Sequence, residues 1–260
     1  MTNSTFVVID NTNCFRYICD YMDNVKNPYN NYGIIATFDD NTFNDISTNV
    51  LPFKITKYNL NDDNFKDNKF NEHMKHFIGM GYTCSNDEYL NAKINSSQHN
   101  HIIISFDGTI DNYQCIKSQL IMNNYIFKTD LTSELLANFI EYNLNDIINK
   151  INKDFYHKSD YCDIIKTTLI NVMSQVNGKY HCVVSFSIFP GNIFIMTTDN
   201  NLYATYSDTS LTIVNSLPSN DDNVKYINLC KNNIHAFTSF IYTYNNKRDI
   251  QIDYNKYKRY

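Results

Sequence analysis

The amino-acid sequence predicts an α+β protein in which packed β-sheets are flanked by helices. Two sets of short apolar runs, one near each end of the chain, are separated by segments whose apolar residues recur at helical spacing. Hydrophobic residues make up 43% of the 260 positions, which is enough to bury a substantial core. No repeat and no linker rich in Pro, Gly or Ser interrupts the chain, so a single domain is predicted.

The predicted strands are apolar runs, rich in β-branched or aromatic residues, that end at turn-forming residues. Core strands are predicted at residues 6–9 (FVVI), 33–38 (GIIATF), 102–106 (IIISF) and 180–188. The last of these begins a series of four short strands that the turns PGN, DNN and SDTS separate, which predicts a meander. The other members of the series and the remaining predicted strands are residues 193–197, 202–206, 211–214, 52–58, 234–242 and 250–254.

Four helices are predicted where apolar residues recur every three or four positions. They cover residues 14–22, 112–123, 132–145 and 163–176. The third has a hydroxyl side chain, Thr132, in the right place to cap its first turn. These helices fall between the two sets of strands, which is why helical layers outside packed sheets are expected.

The charge balance argues against nucleic acid as a partner. The net charge is -5 and the pI is about 5.7, and no long stretch concentrates Lys and Arg. A protein that follows a phosphate backbone needs a basic patch or stripe, because neutralised phosphates supply most of the affinity. We therefore expect no nucleic-acid partner.

Cysteine usage and the N-terminus indicate the compartment. The seven cysteines are odd in number, with no CxxC pair and no Cys/His cluster at zinc spacing, so we expect reduced thiols, no metal site and no cofactor. The N-terminus lacks the regions of a signal peptide, and no apolar run approaches the roughly 20 residues that span a bilayer. The sequence predicts a cytoplasmic protein without a membrane partner.

Residues 79–112 carry a resemblance to a known family. They contain GMGYTC at 79–84, Asn91-Ala92, and IIISFDGTIDN at 102–112. These pieces resemble GIAHTRWATHG, NAHPH and the strand ending in HNGIIEN in the glutaminase domain of glutamine–fructose-6-phosphate aminotransferase, a class-II glutamine amidotransferase. Further pieces follow the family's order: NPYNNYGIIA resembles YRGYDSAGLA, QLIMNNYIFKTDLTSE resembles LKARGYTFVSETDTE, and VNGKYHCVV resembles LRGAYGTVI.

The resemblance extends over roughly residues 5–255 and implies a fold. Five of the only six glycines fall inside the matched pieces, which chance placement of turn glycines does not explain. The implied fold is the N-terminal nucleophile hydrolase fold, a four-layer α/β/β/α sandwich with two antiparallel sheets face to face. The expected organisation is a single class-II glutamine amidotransferase-like domain over residues 1–260, with no sugar-isomerase domain.

The resemblance also implies which groups the chemistry requires. In this family an N-terminal Cys attacks the side-chain amide of glutamine, and its own α-amino group is the general base. An Asn side chain and a backbone N–H beside a Gly form the oxyanion hole, and an Arg and an Asp hold the substrate's α-carboxylate and α-amine.

Matching residue by residue leaves most of these groups replaced. Ser4 stands at the nucleophile's position, Cys84 replaces the substrate Arg, and Asp107 replaces the oxyanion Asn, whereas Gly108 is kept. Thr132 replaces the substrate Asp, with Asp130, two residues earlier, as the alternative for that role. A carboxylate in place of an oxyanion donor costs transition-state stabilisation, about 3–4 kcal/mol. We therefore assign no catalytic residue. Asp107-Gly108 is expected to be a turn that closes its strand.

Three hypotheses about function follow. The first is a non-catalytic relative of the glutaminase domain that acts as a binding or regulatory module, with a separate synthase or isomerase subunit or a host protein as partner. The second is an active amidohydrolase whose nucleophile is an exposed Ser4 or Thr2, although Thr2 lies about 6–7 Å too far along an extended chain. The third is an unrelated α+β interaction protein.

Overall fold

The computed structural model describes the parts of the chain that form both sheets and three helices. The described residues are 4–10, 18–19, 22, 32–38, 53–59, 78–84, 93–150, 158–186, 192–199, 202–206, 210–215, 226–229, 231–244 and 247–252. The strands among them are β1 (Ser4–Asp10), β2 (Tyr32–Phe38), β3 (Phe53–Asn59), β4 (Ile78–Cys84), β5 (Ile94–Ser96), β6 (Ile102–Ile110), β7 (Gly178–Phe186), β8 (Asn192–Thr197), β9 (Tyr203–Tyr206), β10 (Ser210–Val214), β11 (Tyr226–Asn228), β12 (Asn233–Tyr244) and β13 (Lys247–Ile252).

The strands form two antiparallel sheets. The seven-stranded sheet has the order β11-β9-β10-β1-β4-β2-β3, and the six-stranded sheet has the order β13-β12-β8-β7-β6-β5. Three helices lie within the described ranges: α1 (Tyr113–Met122), α2 (Thr132–Lys150) and α3 (Lys158–Gln175). Ile18, Cys19 and Met22 are helical as well, in the first predicted helix. No helix in the described part of the chain is both long and apolar enough to cross a membrane.

Strand alternation divides the six-stranded sheet into two buried faces. On one face Ile104 and Phe106 of β6 and Cys182 of β7 pack with α1, α2 and α3 in one apolar core. The residues between them, such as Ile103 and Val183, are equally buried but lie on the opposite face. That second face meets the seven-stranded sheet, so the predicted four-layer sandwich with two antiparallel sheets is confirmed.

Most of the predicted elements are present, but the predicted meander is wrong. Two hairpins replace it: β7 pairs with β8 in the six-stranded sheet, and β9 pairs with β10 in the seven-stranded sheet. Each turn signal was compatible with a hairpin, but turn residues do not determine which sheet the next hairpin joins. Strands β4, β5 and β11 were not predicted, because β4 contains two glycines and the other two have three residues each.

The expectation that Asp107-Gly108 closes a strand is also wrong. β6 continues to Ile110, and its register with β7 runs without interruption through Asp107 opposite His181 and Gly108 opposite Tyr180. Gly108 has φ +131, and a Cβ there would lie 2.1 Å from the Lys179 carbonyl oxygen. The glycine is required by this close approach of β6 and β7 rather than by a turn.

Candidate functional site

Two of the matched positions meet at one end of the seven-stranded sheet. Ser4 is the first described residue of β1 and lies opposite Thr83 of the neighbouring strand β4. Cys84 follows Thr83 and lies opposite Tyr32 of β2. The backbone positions matched to the nucleophile and to the substrate Arg therefore lie on adjacent strands at the same end of the sheet.

Asp107 faces this sheet from the other layer. It alternates with Phe106, which points into the helical core, so the Asp107 side chain lies on the face of β6 that meets the seven-stranded sheet. The Lys93 ammonium donates a hydrogen bond to the Asp107 carboxylate and lies 5.1 Å from the centroid of the Tyr82 ring on β4. These contacts link the two sheets next to Thr83. We call the region around the Ser4, Cys84, Asp107 and Gly108 positions the remnant site.

His181 lies beside Asp107 on the same face. Its Nδ1 is 2.8 Å from Thr197 Oγ1, and that hydroxyl donates to the Asp199 carbonyl oxygen at 2.6 Å. The Thr197 oxygen therefore accepts from His181, which places the imidazole proton on Nδ1. Burial lowers the pKa of His181, while the charges of Asp107 and Asp199 act in the opposite direction with smaller effect. The ring is accordingly uncharged at neutral pH.

Thr132 is the first residue of α2, a helix that packs on the face of the six-stranded sheet opposite to the Asp107 side chain. Two residues after Thr132, Glu134 accepts hydrogen bonds from the backbone N–H groups of Lys128 and Thr129, both at 2.8 Å. Among the described residues no hydrogen bond joins Thr132 to Asp107. The structure thus places the Ser4 and Cys84 positions on adjacent strands, and Lys93 links Asp107 to Tyr82, two residues before Cys84.

Lys93 and His181 were missed by the sequence reasoning. Lys93 directly follows Asn91-Ala92 and so takes the place of the first His in the family's NAHPH, which was an available signal. His181 takes the place of the second Gly in LRGAYGTVI. Each replacement brings a titratable group toward Asp107. No three His, Cys, Asp or Glu side chains within the described ranges are grouped so that they could hold a metal ion.

The chain has the fold of the class-II glutamine amidotransferases. Glutamine phosphoribosylpyrophosphate amidotransferase from B. subtilis, solved with ADP and GMP, superposes with a TM-score of 0.60 at 14% identity, covering 90% of this chain and 47% of that one. A second solved structure, the allosteric regulatory enzyme of purine biosynthesis, gives the same values. Both show the fold alone.

Within this class, the sequence resembles the glutaminase domain of glutamine–fructose-6-phosphate aminotransferase. The Pyrococcus horikoshii enzyme is 24% identical over 146 residues, which cover 55% of this chain and 22% of that enzyme. The Buchnera aphidicola enzyme is 32% identical over 120 residues, covering 45% and 17%. No family model matches the chain. The matched segment spans about a fifth of the length of these relatives.

Proposed function

We propose that the protein is a non-catalytic relative of the glutaminase domain and acts as a binding or regulatory module. The observation that carries this proposal is the Asp107 carboxylate at the position of the oxyanion Asn, where it accepts a hydrogen bond from Lys93. An oxyanion hole needs a donor aimed at the developing negative charge. An anionic acceptor at that position opposes the transition state of amide hydrolysis.

The replaced substrate groups support the same proposal. Cys84 stands where the class holds the glutamine α-carboxylate with an Arg, and a thiol cannot form the two charge-assisted hydrogen bonds that a guanidinium forms. Thr132, matched to the substrate Asp, lies at the start of α2 in the helical layer. The family's nucleophile, its substrate-holding groups and its oxyanion donor are thus all replaced in this chain.

The test is ammonia release from glutamine by protein with its native N-terminus, which is first determined by mass spectrometry. We expect no release above background, because binding and residual polarisation alone are weak catalysts. Release that Ser4→Ala or Thr2→Ala abolishes would instead establish the alternative, an active amidohydrolase with a hydroxyl nucleophile. Cys115→Ala is the matched control, since Cys115 is exposed on α1.

We further propose a separate synthase or isomerase subunit, or a host protein, as the partner of this chain. The curated relatives are named as isomerizing aminotransferases, so a sugar-isomerase subunit is the first partner to test. Sedimentation of the protein with such a subunit measures their association directly. A cytoplasmic location is proposed on the odd number and irregular spacing of the cysteines.

A further inference from the structure

The Lys93 ammonium is held by groups from both sheets at the remnant site. Its Nζ donates to the Asp107 carboxylate of the six-stranded sheet and lies 5.1 Å from the centroid of the Tyr82 ring of the seven-stranded sheet. A cation within about 6 Å of an aromatic face is attracted by the negative charge of that face. A carboxylate and an aromatic ring together are a pair of groups that select a cation.

The position of Lys93 is fixed by its backbone. The Phe106 N–H donates to the Lys93 carbonyl oxygen at 2.7 Å, and the next residue, Ile94, lies opposite Ser105 at the start of β5. Only 16% of the Lys93 side chain and 29% of the Asp107 side chain are exposed. The ammonium is therefore placed in advance against its carboxylate, with little access to water.

The other titratable side chain beside Asp107 does not compete with Lys93 for its carboxylate. His181 is the neighbour of Asp107 on β7, but its Nδ1 proton is engaged by Thr197 and its ring is uncharged at neutral pH. Within the described part of the chain, Lys93 is the cation that pairs with Asp107.

Lys117 shows what distinguishes this arrangement from an ordinary surface pair. Its side chain is 18% exposed and also lies over aromatic rings, but its carboxylate partner, Asp130, is 91% exposed. Water and salt screen a carboxylate in that position. The Asp107 carboxylate is instead only 29% exposed, on the face of β6 that meets the seven-stranded sheet, so water and salt screen it less.

We propose that the remnant site is a binding site for a primary ammonium group and that the chain's own Lys93 fills it as an internal ligand. The position of the Arg that holds an α-carboxylate in the family is Cys84 here, and Asp107 and Tyr82 hold a cation close to it. The inference goes beyond the proposed function, since it concerns what occupies the site. Its tests measure amine binding and lysine reactivity, not ammonia release.

The first test removes the Lys93 ammonium by mutation and offers a free amine in its place. Lys93→Ala removes three methylenes and the ammonium, which is the size of propylammonium. We expect propylammonium chloride to bind this variant saturably and to raise its Tm, with an affinity at least tenfold higher than for the wild type, whose site is filled. Neutral 1-propanol at equal concentration should have no such effect, and Lys93→Ala with Asp107→Asn should lose the response. Ionic strength is held constant with NaCl.

The second test needs no variant at Lys93, so it tests whether Asp107 holds the Lys93 ammonium even if Lys93→Ala does not fold. Competitive reductive methylation of the native protein, followed by mass spectrometry, compares Lys93 with Lys150, which is paired with Asp146 but 72% exposed. We expect Lys93 to react at least tenfold more slowly, and Asp107→Asn to bring its rate close to that of Lys150. Equal rates in the wild type, or equal propylammonium binding by wild type and Lys93→Ala, would overturn the proposal.

Discussion

At the scale of single residues, the Asp107 side chain differs from asparagine by one group and yet reverses the hydrogen bond it can make. An amide donates to a developing oxyanion, whereas a carboxylate only accepts. Asp107 by itself adds a negative charge to the remnant site. Lys93 supplies the compensating charge, so the site combines both signs in direct contact.

We expect free glutamine to bind the wild type weakly, without saturation below millimolar concentrations. The reason is that Cys84 has replaced the Arg, and Lys93 is already engaged by Asp107. Asp107→Asn combined with Cys84→Arg should restore binding, because it returns both the amide and the guanidinium. Calorimetric titration measures this, with Cys115→Arg in place of Cys84→Arg as the matched control. Sub-millimolar binding by the wild type would show that another group holds the α-carboxylate.

His181 should make stability depend on pH in a defined direction. Its pKa is lowered in the folded protein, so the unfolded chain binds the proton more readily. The contribution of His181 to the free energy of unfolding is fully present above the pKa of the unfolded chain, about 6.5. It is lost progressively as the pH falls from there toward the folded pKa. Urea midpoints between pH 7.5 and 5 measure the slope. His181→Asn, which keeps a donor for Thr197, should flatten it, whereas the same change at exposed His101 should not.

Residue matching to a family predicts Ser4, Cys84, Asp107 and Gly108 as neighbours, and the structure places Ser4 opposite Thr83, next to Cys84. It could not predict the Lys93–Asp107 pair. That pair joins residues 14 positions apart, and it depends on how the end of the unpredicted three-residue strand β5 lies against β6. Side-chain pairing across strands follows from register, which composition does not determine.

At the scale of elements, the β5–β6 turn is attached to α2 through a buried carboxylate. Glu141 has no exposed surface, and its two oxygens bond Ser97 Oγ at 2.6 Å and His99 Nδ1 at 2.7 Å. The Asn138 side chain, one helical turn earlier, accepts from the Gln98 N–H at 2.7 Å. α2 thus fixes the position of the β5–β6 turn, and β5 begins directly after Lys93.

Glu141→Ala should lower the free energy of unfolding by about 2–4 kcal/mol, because it leaves the buried Ser97 hydroxyl without its partner and removes packed volume. Denaturant unfolding monitored by circular dichroism gives this difference. Asp146→Ala is a control on the same helix: its ion pair with Lys150 is exposed, so a loss of roughly 0–1 kcal/mol is expected. Equal losses for the two variants would contradict the anchoring role of Glu141.

Element prediction succeeded where periodicity was long and failed where pairing was nonlocal. The helices near residues 132–145 and 163–176 were found because an apolar stripe repeats over several turns, and the structure extends them to Thr132–Lys150 and Lys158–Gln175. β4 was missed because its two glycines weaken a strand pattern. Its place between β1 and β2 depends on residues far away in sequence.

At the scale of the whole molecule, neither sheet is built from one continuous part of the chain. β1 to β4 enter the seven-stranded sheet, β5 to β8 the six-stranded sheet, β9 to β11 return to the first, and β12 and β13 to the second. Composition and family resemblance predicted the layers correctly. Composition and resemblance did not predict the order of the strands within each layer, because contacts between distant segments set that order.

Because the sheets share the chain in this way, we expect them to unfold together. Native-state hydrogen exchange should give the same opening free energy for the amides of Ile104 in the six-stranded sheet and Ile213 in the seven-stranded sheet. The amide of Ile227, an exposed residue of the edge strand β11, is the internal control and should exchange faster. A lower free energy for one entire sheet would show that the sheets are separate cooperative units.

The position of β1 between β4 and β10 has a consequence for how the protein is made. Phe6 lies opposite Gly81 on one side and Val214 on the other, and Val214 comes 208 residues later (214 − 6). At about 5–20 residues per second, a ribosome needs roughly 10–40 s to supply that second neighbour. During this interval one edge of β1 carries unpaired N–H and C=O groups on the nascent chain. We expect a chaperone that masks this edge during translation to raise the yield of folded protein.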